Sequence, residues 1–107
     1  MIQLTADTRI LLATRTADFR CGIDGFVALC RQQLAQDPRS GTLFVFINRR
    51  NTMVRALTYD GSGFWLMTKR LSNGTFPDWP APRQAVTQVA AKRLRALLSG
   101  TPDWQKV

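Results

Sequence analysis

GTLFVFINRRNTMVRALTYDGSGFWLMTKRL, residues 41–71, holds three runs rich in β-branched, aromatic and aliphatic side chains, at 42–47, 52–59 and 64–70. Asn48-Arg49-Arg50-Asn51 separates the first two runs, and Asp60-Gly61-Ser62-Gly63 the last two. Extended runs joined by short Asn-, Asp- and Gly-containing links predict a β-meander, because those residues tolerate the positive φ of a tight hairpin. A two-residue loop at Arg49-Arg50 would pair Val45 with Val54. A turn placing Tyr59 opposite Phe64 pairs Leu57 with Leu66. One face then carries Phe44, Phe46, Met53, Arg55, Leu57, Tyr59, Phe64, Leu66 and Arg70, and the other carries Val45, Val54, Ala56, Trp65, Met67 and Lys69. Both faces are apolar near the strand middles, so helices or further strands are expected to cover each.

Outward from the meander, residues 9–13 (RILLA) form a short apolar run that reads as a first strand. Asp18 follows in a polar connection, as a helix N-cap or an Asx-turn residue. From 22 to 36 the period becomes helical, with Ile23, Phe26, Val27, Cys30 and Leu34 on one stripe. Asp37-Pro38 ends this helix. Beyond the meander, Thr75-Phe76 is a short extended candidate. Residues 77–82 (PDWPAP) form a proline-rich connector that Trp79 tacks onto the core. A second helix is expected over about 87–99, with Val89, Ala90, Leu94, Leu97 and Leu98 on its apolar side and Gly100 as its stop. The expected fold is α+β: a mostly antiparallel sheet built on the meander (about 42–70), one helix before it (about 22–36) and one after. Residues 1–100 make one domain, and 101–107 a flexible tail.

The chain has 107 residues, 15 basic and 7 acidic, for a net charge of +8. Such an excess points to a polyanionic partner. Twelve of the cations are arginine and three are lysine; the planar guanidinium fork suits phosphate and guanine, which favours nucleic acid over a membrane surface. The competing explanation is an arginine-rich composition inherited from a GC-rich genome. No run approaches the roughly 20 apolar residues of a membrane span, and no basic-then-apolar leader opens the chain. Cys21 and Cys30, nine residues apart on one expected helix, lie about 13 Å from each other, too far for a disulfide. Unpaired cysteines fit a reducing cytoplasm.

Histidine and glutamate are absent. That removes the usual general base and the usual metal ligand. The seven aspartates are scattered over turns, caps and termini, unlike the converging carboxylates of a metal-dependent nuclease. Cys21 has Arg20 beside it but no imidazole partner, and Gly61-Ser62-Gly63 precedes a strand, unlike a phosphate loop. No catalytic residue, cofactor or metal is therefore expected. The positive signal is basic: Arg49, Arg50, Arg55, Lys69 and Arg70, gathered towards one end of the meander, with Arg20 and the Lys92, Arg93 and Arg95 group as secondary members. Its bland alternative is a solvated surface that keeps the domain soluble. Trp65 and Trp79 are candidates for base stacking, but core or lid positions are the expectation for both.

In order and spacing, several pieces of the chain resemble one family. They are Leu12-Ala13-Thr14, Thr16-Ala17-Asp18-Phe19-Arg20, Gly22-Ile23-Asp24-Gly25, Asp37-Pro38-Arg39-Ser40-Gly41, Leu43-Phe44-Val45-Phe46, Asn48-Arg49-Arg50, Tyr59-Asp60 with Gly63, Lys69-Arg70-Leu71, and Gly74, Phe76 and Trp79-Pro80. The set, spanning about residues 8–100, resembles the TnpB accessory proteins of the sixty-six family of bacterial insertion sequences, which are distinct from the RNA-guided nucleases of the same name. Ser72, where an acidic residue is frequent, and Pro77-Asp78 depart from the pattern. The resemblance implies a non-catalytic helper that acts beside a separate transposase carrying the acidic catalytic residues. DNA, in particular the ends of the element, and the transposase itself are the expected partners. Two alternatives remain: a module that docks the transposase without touching DNA, and an RNA-binding translational regulator.

Overall fold

The computed structural model describes residues 7–99. Seven elements follow in order: β1 (Ile10–Ala13), α1 (Ile23–Gln32), β2 (Leu43–Ile47), β3 (Met53–Tyr59), β4 (Phe64–Arg70), β5 (Val86–Val89) and α2 (Ala91–Leu98). The strands form one sheet in the order β4-β3-β2-β1-β5. Three of its four junctions are antiparallel, and β1 pairs with β2 in parallel through the α1 crossover. The α+β class, the meander and the helix on each side of it agree with the sequence reading.

Burial explains this order. Every residue of β1 (ILLA) and β2 (LFVFI) is buried, as expected of strands covered on both faces. On one face Leu11, Ala13, Phe44, Phe46 and Leu57 pack with Phe26, Cys30 and Leu34 from α1 and its C-terminal turn. On the other, Ile10, Leu12, Leu43, Val45, Ile47 and Val54 pack with Leu94 and Leu97 of α2 and with Phe76. β4 is at the sheet edge, with Trp65 and residues 67–70 exposed.

The hairpin from β3 to β4 has the expected register, with Tyr59 opposite Phe64 and Leu57 opposite Leu66. The first hairpin does not. Val45 faces Ala56 instead of Val54, a slip of two residues that leaves every side chain on its expected face. The cause is a longer loop: Asn48 N–H donates to the Met53 carbonyl at 3.1 Å, and Asn51 adopts φ 58° within the turn. Four other differences are found. α1 ends at Gln32, after which Ala35 takes φ 52° and Gln36 N–H returns to the Cys30 carbonyl at 2.9 Å. Cys21 precedes α1 rather than sharing it, and both cysteines are free thiols. The segment expected to begin the second helix at 87 is instead β5, since Val86–Val89 finds the open edge of β1, with Ala13 opposite Val86 and Ile10 opposite Val89; α2 starts at Ala91. Thr75-Phe76 forms no strand, though Phe76 is buried.

The proline-rich connector closes over the end of β1. Trp79 Nε1 donates to the Ala13 carbonyl at 3.0 Å, and Thr14 Oγ1 donates to the carbonyls of Gln84 and Ala85. Trp79 is thus fastened to the core as expected, whereas Trp65 stands 47% exposed, against the expectation of a core or lid position. Gly100 and the tail at 101–107 lie outside the described residues.

Candidate nucleic-acid interface

The parallel strands β1 and β2 point their carboxyl ends the same way, and the chain leaves both into loops rich in arginine. An isolated parallel bridge between Ala17 and Asn48, with Ala17 N–H donating to the Ile47 carbonyl at 2.9 Å, holds the two loops side by side. Carboxyl ends of parallel strands are where open α/β sheets offer room for ligands. Here they form an open groove lined by Asp18, Arg20, Asn48, Arg49, Arg50 and Arg55, with Ala17, Phe19 and Met53 as its apolar floor.

Arg49 and Arg50 are exposed at the β2–β3 tip. Their loop is shaped by Asn48, whose Oδ1 accepts the Thr52 and Met53 N–H groups at 2.9 and 3.1 Å and whose Nδ2 donates to Thr52 Oγ1 at 3.1 Å. A side chain that satisfies backbone donors in this way fixes a turn that would otherwise fray. The arginines are therefore displayed on a preformed loop.

Arg20 comes from the other loop. Asp18 forms an Asx-turn, accepting the Arg20 N–H at 3.0 Å, rather than capping α1, whose N-cap is Gly22. Its carboxylate also takes the Arg20 guanidinium, Nη2 to Oδ2 at 2.7 Å and Nε to both oxygens at 3.0 Å. The hydrogen bonds from the Arg20 side chain and backbone, with the field of nearby Arg49, hold the Asp18 carboxyl down to about 2. One carboxylate thus sits inside the arginine groove and occupies half of the Arg20 fork.

Arg55 has a different task. It is half-buried on β3, donating from Nη1 to the Phe19 carbonyl at 2.7 Å and the Cys21 carbonyl at 3.4 Å, and from Nε to Thr68 Oγ1 at 3.0 Å. Its guanidinium lies 5.0 Å from the Phe19 ring and 5.8 Å from that of Phe26. Phe19, Phe26 and Phe46 follow one another at centroid spacings of 5.5 and 5.0 Å, tying loop, helix and sheet together. Arg55 clamps the 14–22 loop to the sheet and so positions Asp18 and Arg20.

Arg70 faces Met53 across the β3–β4 pair, beside the groove floor. Lys69 does not join the cluster. It projects from the opposite face of β4, and its Nζ donates at 2.6 Å to the Leu98 carbonyl at the end of α2, where the helix dipole favours a cation. Lys92, Arg93 and Arg95 are exposed on α2, across the sheet from the groove. Of the residues singled out in sequence, Arg20, Arg49, Arg50 and Arg55 line one groove, Arg70 borders it, and Lys69 is directed elsewhere. Asp18 and Asn48 are the site residues that sequence reading underrated. Both are Asx side chains within two residues of a loop arginine, and that closeness was the available signal.

Among the described residues no three His, Cys or Asp side chains gather into a metal-binding group, and no helix is long and apolar enough to cross a membrane. Burial pushes the Cys30 thiol up to about 12, so it stays protonated at neutral pH.

Comparison with known proteins adds kinship. The chain is 36% identical over 107 residues to the uncharacterized protein y4jC of Sinorhizobium fredii strain NBRC 101917 / NGR234, covering all of this chain and 90% of that one. It is 33% identical over 105 residues to y4hO of the same strain, covering 98% and 90% of the two chains. No solved structure matches it. The profile of a family of insertion-sequence proteins, described as "IS66 Orf2 like protein", matches residues 8–107, a span that contains the whole groove. The chain belongs to this IS66 Orf2-like family.

Proposed function

We propose that the protein is a non-catalytic accessory factor of insertion-sequence transposition that binds DNA through the arginine groove, in support of a separate transposase. The observation that carries this reading is the convergence of Arg20, Arg49, Arg50 and Arg55 on one open groove holding a single carboxylate. Family membership supplies the setting. Arg49 and Arg50, exposed on the loop stapled by Asn48, make the phosphate contacts. Arg20 adds a third through the part of its fork that Asp18 leaves open, and Arg55 holds the loop in place. Contacts of this kind dominate affinity through counterion release and carry little sequence information.

The test is a salt titration of DNA binding by the chain and by its Arg49→Ala/Arg50→Ala variant. Losing two phosphate contacts should weaken binding and flatten the slope of log K against log salt by roughly two, with an unchanged far-UV circular dichroism spectrum. Equal affinity and equal slope would remove the groove from DNA recognition. A second reading, a module that docks the transposase without touching DNA, draws on the exposed Trp65 and Met67 of β4. No mobility shift on any DNA at low salt, together with co-purification of the transposase, would favour it.

A further inference from the structure

The outer edge of β4 is a free template seven residues long. β4 ends the sheet order, it contains no proline, and among the described residues no further strand pairs with its outer side. Its hydrogen-bonding phase follows from its flanks: Asp60 N–H donates to the Gly63 carbonyl and Leu71 N–H to the Thr52 carbonyl, at 3.1 and 3.0 Å. Gly63 and Leu71 therefore turn their backbone groups towards β3, and by alternation so do Trp65, Met67 and Lys69. Phe64, Leu66, Thr68 and Arg70 turn theirs outward. The same strand carries two of the three exposed large hydrophobic side chains among the described residues, Trp65 at 47% and Met67 at 37%. The indole is held in place by its Nε1 hydrogen bond to Asp60 Oδ2 at 2.8 Å.

We propose that β4 pairs antiparallel with β4 of a second copy of this chain, about a two-fold axis at Met67. Outward-facing residues must meet outward-facing residues, so the self-pairing has to be centred within the strand on a whole residue. Centring on Met67 aligns all seven residues. It sets Trp65 opposite Lys69 of the second copy on one face, and Phe64 opposite Arg70 of the second copy on the other. The two-fold repeats both, giving four aromatic–cation pairs and no directly opposed like charges, an arrangement that favours pairing. Centring on Leu66 leaves Lys69 and Arg70 opposite the turn residues Gly63 and Ser62, and centring on Thr68 sets them against Met67 and Leu66. The sequence FWLMTKR is thus self-complementary in one register. This complementarity favours a second copy over an unrelated strand.

The dimer joins two sheets into one of ten strands. Facing residues in an antiparallel pair share a face, so the α1 sides of both copies lie together and both arginine grooves open on that side. The inference does not rest on the DNA-binding reading, and its test contains no DNA.

Met67 would meet its own copy in a non-hydrogen-bonded pair, with Cα atoms about 4.5 Å apart, within the span of a disulfide. In a Cys21→Ser background, Met67→Cys should cross-link into a covalent dimer under mild oxidation. Trp65→Cys should not, because its copy would lie more than about 13 Å away along the strand. Sedimentation equilibrium should show a dimer for the unsubstituted chain, with the dissociation constant raised roughly tenfold or more by Met67→Lys and an unchanged circular dichroism spectrum. The proposal is overturned by a chain that stays monomeric at every concentration with no Met67→Cys cross-link. Equal cross-linking of Met67→Cys and Trp65→Cys overturns it too, as does an edge that pairs only once transposase is added.

Discussion

Arg55 stands over the ring of Phe19, 5.0 Å from its centroid, while donating to the carbonyl of the same residue at 2.7 Å. Both halves of the contact need the flat, forked guanidinium. Arg55→Ala should lower stability by about 2–3 kcal/mol, from lost charge-assisted hydrogen bonds and ring contacts. Arg55→Lys should recover little of it. Urea midpoints of the three proteins are the measurement. Limited proteolysis should show the 14–22 loop opening first in both variants.

Asn48 makes three side-chain hydrogen bonds within the loop that presents Arg49 and Arg50. Asn48→Ala is expected to cost about 1–2 kcal/mol of stability, by leaving two backbone donors without their partner. Asn48→Asp keeps the two acceptor bonds and loses only the donor, so its loss should be smaller. Amide hydrogen exchange at Thr52 and Met53 reports the loosening directly.

Asp18 gives the groove a pH signature. Its folded carboxyl sits near 2, below the unfolded value of about 3.9. Its ion pair with Arg20 is therefore fully present above about pH 4 and is lost as pH falls towards 2. A carboxyl carbon titration should place the midpoint near 2, and Arg20→Ala should return it towards the ordinary range. Asp18→Asn retains the turn but releases the Arg20 fork. On the proposed function, DNA affinity then rises several-fold and the salt slope steepens by about one.

Gly25 lies against Cys21 so closely that an added Cβ would fall 2.3 Å from Cys21 Cβ and 2.8 Å from its Sγ. Gly25→Ala should cost about 2–3 kcal/mol through this overlap, despite alanine's better helix propensity. Cys21→Ser leaves the offending Cβ and should not help, whereas Cys21→Gly should restore part of the loss. Thermal midpoints of the single and double variants decide the matter.

How far the fold could be read in sequence varied with the kind of interaction that fixes each part. The 60–63 turn was legible because its residues carry the needed conformations themselves: Gly61 takes φ 98°, and Asp60 accepts the Ser62 and Gly63 N–H groups. The β2–β3 register was not legible, since it depends on Asn48 folding back on a longer loop, which strand periodicity cannot reveal. Val86, Val89 and Ala90 fit a helical stripe as well as a strand. Only the unpaired side of β1 decides between them, and that is a tertiary fact. In the groove, Arg49 and Arg50 were readable as exposed tip residues. Strand alternation already set Arg55 and Lys69 on opposite faces; what each meets there, the Phe19 carbonyl and the end of α2, depends on the tertiary packing.

The place of β1 bears on how the chain is made. It precedes every other described element in the chain, yet it lies between β2 and β5, and its end is closed by Trp79, Gln84 and Ala85. The meander completes itself from near neighbours, whereas one flank of β1 has no partner until residue 89 is available. The meander's pairings are local in sequence, whereas joining β5 to β1 closes a far longer loop, the kind of contact that topology makes slow to form. Until then the nascent chain carries an unprotected apolar edge, the kind of surface that chaperones shield. The last strand acts as the latch that retires it.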